Sequence, residues 1–358
     1  MNSETLISKL EQAIKLPLQE REFSELHHSG GIGYATKNNE IISLYLRDLK
    51  LDKLPEEVFR IDTLVELDVG YNSISEITPA FESLVNLEIL NIEENKISVF
   101  DCTTLSSTLK DISVFSNVLE KISTNINSLE NLEHLTLGMN QLQSIPDEVC
   151  SLTNLQTLTL GGNRLHSLPS AIGDLQQLYK LNAFQNALES IPESIGLLTN
   201  IEDLFLGFNL LEEIPESIGE LRKLKNLQLW RNVLKRLPES ICNLSNLENL
   251  WIDHNQLESL PANIHQLKNL KLLQTGYNKL KAIPKTLVTM SALEKLNLEQ
   301  NLLTELPKGI EYMIQLKELN VRLNEVVLDE KMKSQLRQNS CFILEGKHIF
   351  RKSQLTRK

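Results

Sequence analysis

Apolar positions recur along most of this chain in one order, L-x-x-L-x-L-x-x-N-x-L-x-x-L-P-x-x-I-x-x-L-x-x. The order is seen cleanly from Leu155 to Leu178 (LQTLTLGGNRLHSLPSAIGDLQQL) and then restarts. A fixed period outranks any local secondary-structure reading, because each unit then repeats one supersecondary element. The asparagine returns at Asn72, Asn95, Asn117, Asn140, Asn163, Asn186, Asn209, Asn232, Asn255, Asn278, Asn301 and Asn324, in steps of 23 residues, or 22 from Asn95 to Asn117. One unit earlier, Ile41, Leu44, Leu46, Leu51 and Leu54 keep the phase, with Leu49 in the asparagine's place. The count is about 13 repeats, the first and last atypical.

Each part of the unit predicts an element. In Leu158-Thr159-Leu160 the leucines alternate with period 2, so both point to one face of a strand. Strands one repeat apart then stack in parallel at about 4.8 Å. A single unit cannot bury its apolar face and relies on its neighbours. Asparagine carries two donors and an acceptor. A column of asparagines can therefore satisfy backbone groups that are buried where the chain leaves the strand. Pro55, Pro146, Pro169, Pro192, Pro215, Pro238, Pro261, Pro284 and Pro307 fix φ and remove a donor, which suits an extended start to the return segment. Segments such as PESIG leave room for one short 3₁₀ or α turn.

The pattern resembles that of leucine-rich repeat proteins from about Ile41 to Asn324. The Leu168-Pro169-Ser170-Ala171-Ile172 type of second half resembles the intracellular Ras-group repeat, also common in bacterial and archaeal proteins. The resemblance implies an α/β solenoid, a horseshoe with a parallel sheet on its concave face and 3₁₀/α turns on its convex face. The organisation expected is 1–40 as an N-terminal helix and connector, 41–324 as the solenoid, and 325–358 as a C-terminal cap with a basic tail.

Within the first part, Leu6, Leu10, Ala13, Ile14 and Pro17 mark an amphipathic helix with Ser3 as a candidate N-cap. Its expected role is to cover the end of the first repeat; docking a partner is the alternative. Residues 17–39 read as an irregular connector. Its His27-His28-Ser29-Gly30-Gly31-Ile32-Gly33 stretch lacks the lysine of a phosphate loop and the further ligands of a metal site. At the other end, Asp329–Gln338 reads as a polar helix. Cys341–Leu344 and His348–Phe350 flank Glu345-Gly346-Lys347 as a candidate hairpin, and 351–358 as a basic tail.

A net charge of −11 argues against a nucleic-acid binder, which needs a basic face. Cys102, Cys150, Cys242 and Cys341 have no close spacing. Cys150 and Cys242 share one phase four units apart, roughly 19 Å, beyond disulfide reach. The paired cysteine caps usual in secreted members of the family are missing. A reducing, cytoplasmic setting is expected. The first residues, MNSETLISKLEQAIKLP, carry charges throughout and read as neither signal peptide nor membrane span.

The exposed strand positions carry the functional information, because the leucines only build the core. Repeats 2 to 4 place Glu66, Asp68, Glu93, Glu94 and Asp111 there, either a solvated acidic face or a docking surface for a basic partner. The stretch Phe100–Leu109 lacks the LPxxI signature, so a kink or change of curvature is expected. Repeats 7 to 11 place Phe184, Phe205, Phe208, Trp230, Trp251 and Tyr277 at exposed phases, including both tryptophans of the chain. Phe205 and Trp251 hold the fifth position, Phe184 and Trp230 the seventh. Arg231, Asp203, Asp253, His254, Asn226, Gln228 and Gln274 flank them. An aromatic band with a polar rim is the composition of a binding surface. Phe208 and Tyr277, at the eighth position, have a second reading as lids over the asparagine column. Tyr45, Tyr71 and Phe115 fall at exposed phases elsewhere. His254 reads as a rim residue.

The function expected is a non-enzymatic scaffold binding a protein or peptide in the concave face, as a monomer, with no cofactor, metal, nucleic acid or membrane. Family analogy adds intracellular signalling and a small GTPase among partners. Self-assembly is an alternative. An effector-type ubiquitin ligase is disfavoured, because some 34 residues follow Asn324 and Cys341 lies in an apolar run.

Overall fold

A computed structural model of the chain describes residues 3–22 and 31–346. The chain divides into two compact units, Met1–Ala187 and Leu188–Lys358.

The first unit begins with helix α1 (Ser3–Ile14), which buries Leu6, Ile7 and Leu10. The helix ends at Lys15, whose φ of 59° is left-handed, and the Leu16 amide donates back to the Glu11 carbonyl. Ten strands follow: β1 (Gly33–Lys37), β2 (Glu40–Tyr45), β3 (Glu66–Asp68), β4 (Ile89–Asn91), β5 (Val99–Phe100), β6 (Asp111–Ser113), β7 (Lys121–Ile122), β8 (His134–Thr136), β9 (Thr157–Thr159) and β10 (Lys180–Asn182). Strands β2, β3, β4, β6, β8, β9 and β10 pair in parallel, in chain order.

Strand β1 corrects the reading of 17–39 as an irregular connector. It pairs antiparallel with β2 and covers the edge that the first repeat would otherwise expose. Asn38 and Asn39 connect the two strands at φ 54° and 65°, the two left-handed residues that a tight hairpin requires. The His27–Gly30 stretch lies outside the described residues. Where the LPxxI signature is missing, β5 and β7 form a separate two-stranded parallel ladder, and Cys102 behind it is fully buried.

In the second unit, seven strands run β11 (Asp203–Phe205), β12 (Asn226–Gln228), β13 (Asn249–Trp251), β14 (Leu272–Gln274), β15 (Lys295–Asn297), β16 (Glu318–Asn320) and β17 (Phe342–Leu344). Each pairs in parallel with the next. The central residues of β11 to β16, Leu204, Leu227, Leu250, Leu273, Leu296 and Leu319, are in register and at most 1 % exposed. Each buried leucine contributes roughly 1.5–3 kcal/mol of transfer free energy, and only the neighbouring repeats make that burial available.

Return segments are 3₁₀ turns, for example Glu216–Glu220 and Glu239–Asn243. The prolines that precede them, Pro215 and Pro238, have φ −66° and ψ near 150°. They hold the extended conformation, as their fixed φ dictates.

At the C-terminal end, helix α2 (Glu330–Gln338) is capped by Asp329, whose carboxylate accepts from the Met332 amide at 2.7 Å. Cys341–Leu344 was expected to form a hairpin. Instead Phe342–Leu344 joins the sheet as a parallel strand on β16. The hairpin partner His348–Phe350 and the basic tail lie outside the described residues.

The asparagine column does what its chemistry requires. Asn232 donates to the carbonyls of Leu206 and Leu229, and its Oδ1 accepts from the Leu211 amide at 3.0 Å. Asn163 and Asn255 repeat the same three bonds in their own repeats. A single side chain thus satisfies three buried backbone groups that would each cost about 1–3 kcal/mol unpaired.

Candidate partner-binding surface

The aromatic band is placed by a backbone feature that the sequence does not announce. The residue just before each asparagine, at the eighth position, is left-handed. Phe208, Arg231, His254 and Tyr277 have φ 54°, 51°, 54° and 56°. Glycine usually fills such positions, since a side chain there costs roughly 1–2 kcal/mol. Only one repeat uses it, with Gly162 at φ 72°. The ladder compensates. Each eighth-position amide donates to the seventh-position carbonyl of the next repeat: Phe208 to Trp230 at 2.8 Å, Arg231 to Asp253 at 3.0 Å, His254 to Gly276 at 2.9 Å. This turn sends the asparagine inward. It also brings the eighth side chain against the next repeat.

Two side-chain groups result in the second unit. Phe208 meets Trp230 edge-on, with 4.5 Å between ring centroids and 79° between planes. The Arg231 guanidinium lies 4.6 Å from the Phe208 centroid, a cation–π contact. Trp230 fits because position 207 is glycine: a Cβ on Gly207 would come within 2.8 Å of the indole Nε1. In the second group, His254 stacks on Tyr277 at 4.2 Å and 10°. Its Nδ1 is 2.9 Å from the Asp253 carboxylate, so Nδ1–H donates and Asp253 fixes the ring.

Phe205 and Trp251 stand in register two strands apart, with Gln228 between them. Phe184 belongs to the first unit, where its amide donates to Asn182 Oδ1 at 3.0 Å. Arg231 is exposed, and the other eight site residues are half-buried. Phe208 and Tyr277 pack on side chains of the band, Phe208 on Trp230 and Tyr277 on His254.

Polar groups border the band. Asn249 donates to Asn226, and Asn226 donates to Asp203. Beyond them the second-position column alternates Glu202, Lys225, Glu248, Lys271, Glu294 and Lys317. Ion pairs close Lys225 to Glu202 at 2.6 Å, Lys271 to Glu248 at 2.7 Å and Lys317 to Glu294 at 2.8 Å. These exposed pairs contribute little stability, but they leave a rim in which neither sign dominates.

The acidic repeats of the first unit differ from the reading of a uniformly exposed carboxylate face. Glu66 is 3 % and Asp68 7 % exposed, and Tyr45, also expected at the surface, is 2 % exposed. Arg47, at the seventh position of the first repeat, pairs at 2.5 Å with Asp68 and at 2.5 Å with Glu93. It also lies 4.8 Å from the Tyr71 ring centroid. Burial raises the Asp68 carboxyl above its usual range, against the pull of the Gly70 amide and of Arg47. Two of the five acidic groups, Asp68 and Glu93, are therefore held by one arginine within the fold.

Burial raises all four thiols, Cys150 to about 12, Cys242 and Cys341 to about 11, and Cys102 further. A thiolate nucleophile at Cys341 is disfavoured at neutral pH. Among the described residues, no group of three or more His, Cys, Asp or Glu is arranged to hold a metal ion. No described helix is long and apolar enough to cross a membrane.

Parallel strands stacked one repeat apart, linked by 3₁₀ return segments over an asparagine ladder, define a repeat solenoid. Family models described as leucine-rich repeat region and leucine rich repeat match residues 115–209 and 245–303. A leucine-rich repeat protein of Leptospira interrogans of known structure is 33 % identical, over 82 % of this chain and 81 % of that one, with a TM-score of 0.68. The chain belongs to the leucine-rich repeat family. An internalin from Listeria monocytogenes shares the fold at 20 % identity, over 96 % of this chain and 94 % of that one, with a TM-score of 0.73. So does the ectodomain of the Arabidopsis thaliana receptor kinase GASSHO1/SCHENGEN3, solved in complex with Casparian strip integrity factor 2. There the identity is 21 % and the TM-score 0.55, over 90 % of this chain and 52 % of that one, so the chain spans about half of that structure. No curated protein sequence matches the chain.

Proposed function

We propose that this chain is a non-enzymatic binding scaffold that takes a protein or peptide partner on the open sheet face of its second unit, over Trp230 and Trp251. The observation that carries the reading is the grouping of Phe208, Trp230 and Arg231, and of His254, Tyr277 and Asp253, beside strands whose inward leucines are fully buried. Half-buried aromatics and arginine within a polar rim are what partner hot spots are made of. A rigid sheet loses little freedom on binding. Repeat folds offer such extended surfaces, and the Arabidopsis ectodomain is one that was solved with a bound factor.

Four buried free cysteines support a cytoplasmic setting. The partner proposed is a protein or peptide; a small GTPase and a signalling role are what the family resemblance implies.

The test is a pull-down from extract of the source cells with wild type and with Trp230→Ala/Trp251→Ala, the two matched in melting temperature. A partner retained by the wild type and lost from the variant supports the reading. Identical sets of retained proteins overturn it.

A further inference from the structure

The partner's backbone conformation follows from spacing and from hydrogen-bond inventory on the same face. Phe205 and Trp251 are both fifth-position residues, two strands apart in register, with the polar Gln228 between them and Gln274 beyond. Two strand spacings of about 4.8 Å make about 9.6 Å. The segment that sets one residue on Phe205 and an equivalent one on Trp251 must repeat with that length. A β-strand repeats on one face every two residues at about 6.8 Å, and an α-helix returns to one face after one turn at about 5.4 Å or two turns at about 10.8 Å. A polyproline II helix repeats every three residues at about 3.1 Å each, or about 9.3 Å.

The hydrogen-bond inventory points the same way. The carboxylates of the band are engaged, Asp203 by Asn226 and Asp253 by His254. Three donors are open. Among the described residues, the Trp251 indole N–H, the Gln228 amide and the Arg231 guanidinium have no hydrogen-bond acceptor. Open N–H groups of this kind suit a ligand whose carbonyls are free to accept. A proline-rich segment is such a ligand, since proline keeps its carbonyl and has no N–H. A polyproline II helix makes no internal hydrogen bonds, so its carbonyls stay available. Aromatic-lined grooves dock such segments in other folds.

We infer that the open face around Phe205 and Trp251 takes a proline-containing segment in the polyproline II conformation. Residues i and i+3 of that segment rest on the two rings, and its carbonyls accept from Trp251 Nε1, Gln228 and Arg231. Phe208 and Trp230, packed edge-on, lie beside them on the same face. The inference rests on the binding function proposed above and adds the chemistry of the ligand.

The test pans a random dodecapeptide phage library on the full chain, with counter-selection on Trp230→Ala/Trp251→Ala. The expected result is enrichment of peptides with prolines three residues apart. Alanine at those prolines, or Trp251→Ala in the protein, should weaken the selected peptide at least tenfold, and Gln228→Ala three- to tenfold. Both tryptophans of the chain lie in the band, so intrinsic fluorescence reads the titration. Enriched peptides without the proline spacing would overturn the inference, and if their binding still required the tryptophans the broader reading would stand. No enrichment also overturns the inference, while the pull-down decides the broader reading independently.

Discussion

Trp230 lies directly against the backbone of Gly207. A Cβ at that glycine would stand 2.8 Å from the indole Nε1 and 2.9 Å from its Cδ1, closer than van der Waals contact allows. The seventh position of one repeat is thus the seat for the seventh side chain of the next, and a missing side chain shapes the band as much as those present.

Gly207→Ala should therefore displace the indole while the leucine core holds. Overpacking of this kind costs about 1–3 kcal/mol. Tryptophan emission and near-ultraviolet circular dichroism should change while the far-ultraviolet spectrum does not. Unchanged emission and near-ultraviolet signals would mean that the contact does not position the ring.

Asn232→Ala removes a side chain that holds two carbonyls and one amide in the interior. With about 1–3 kcal/mol lost for each group left unpaired, the variant should lose about 3 kcal/mol or more in denaturant unfolding. Leu210→Ala, at an exposed position on the return side, should change stability little, by roughly 0.5 kcal/mol or less.

Much of this was readable in advance. The 23-residue period exposes the strands, the buried leucines, the extended prolines and the asparagine bonds, because each depends on one residue type at one phase. The eighth-position turn was not readable, because Phe208, Arg231, His254 and Tyr277 adopt a conformation that sequence ordinarily marks with glycine. Only the ladder makes it affordable. The β1–β2 hairpin did leave a signal, the adjacent Asn38 and Asn39, within a stretch that otherwise looks irregular. The burial of Glu66, Asp68 and Tyr45 left none. The ion partner of Asp68 is Arg47, 21 residues away, and the same arginine reaches Glu93, 46 residues away.

Arg47→Ala should test that arrangement through pH. Burial already lifts the Asp68 pKa in the folded state, and Arg47 opposes the lift. Without Arg47 the folded-state pKa rises further above the unfolded value. A carboxyl shifted in that direction destabilises the fold as pH rises through the folded pKa, and the penalty disappears below the unfolded value. Losing the partner of a largely buried charge costs about 3–5 kcal/mol. The deficit should therefore be large at pH 7 and smaller near pH 4, measured by urea unfolding at both. An equal deficit at both would show that Asp68 does not carry the effect.

All four thiols should react slowly in the native protein. With Cys150 pushed to about 12 and Cys242 and Cys341 to about 11, the thiolate fraction at pH 8 is on the order of 1 in 1,000 or less by the pKa difference. Labelling by a disulfide reagent at pH 8 should become fast only in denaturant. Fast labelling of the native chain at any one site would place a reactive thiol where the fold shows a buried one.

Partners of this chain are proposed to bind the aromatic open face and not the return side. The most direct measurement puts a photo-crosslinking benzoylphenylalanine at Phe205, within the aromatic band, and separately at Tyr312, an exposed ring on a 3₁₀ return segment. After irradiation in the source cells, crosslinked partners should appear from position 205 and not from position 312. Crosslinks from position 312 with none from position 205 would place the binding surface on the return side.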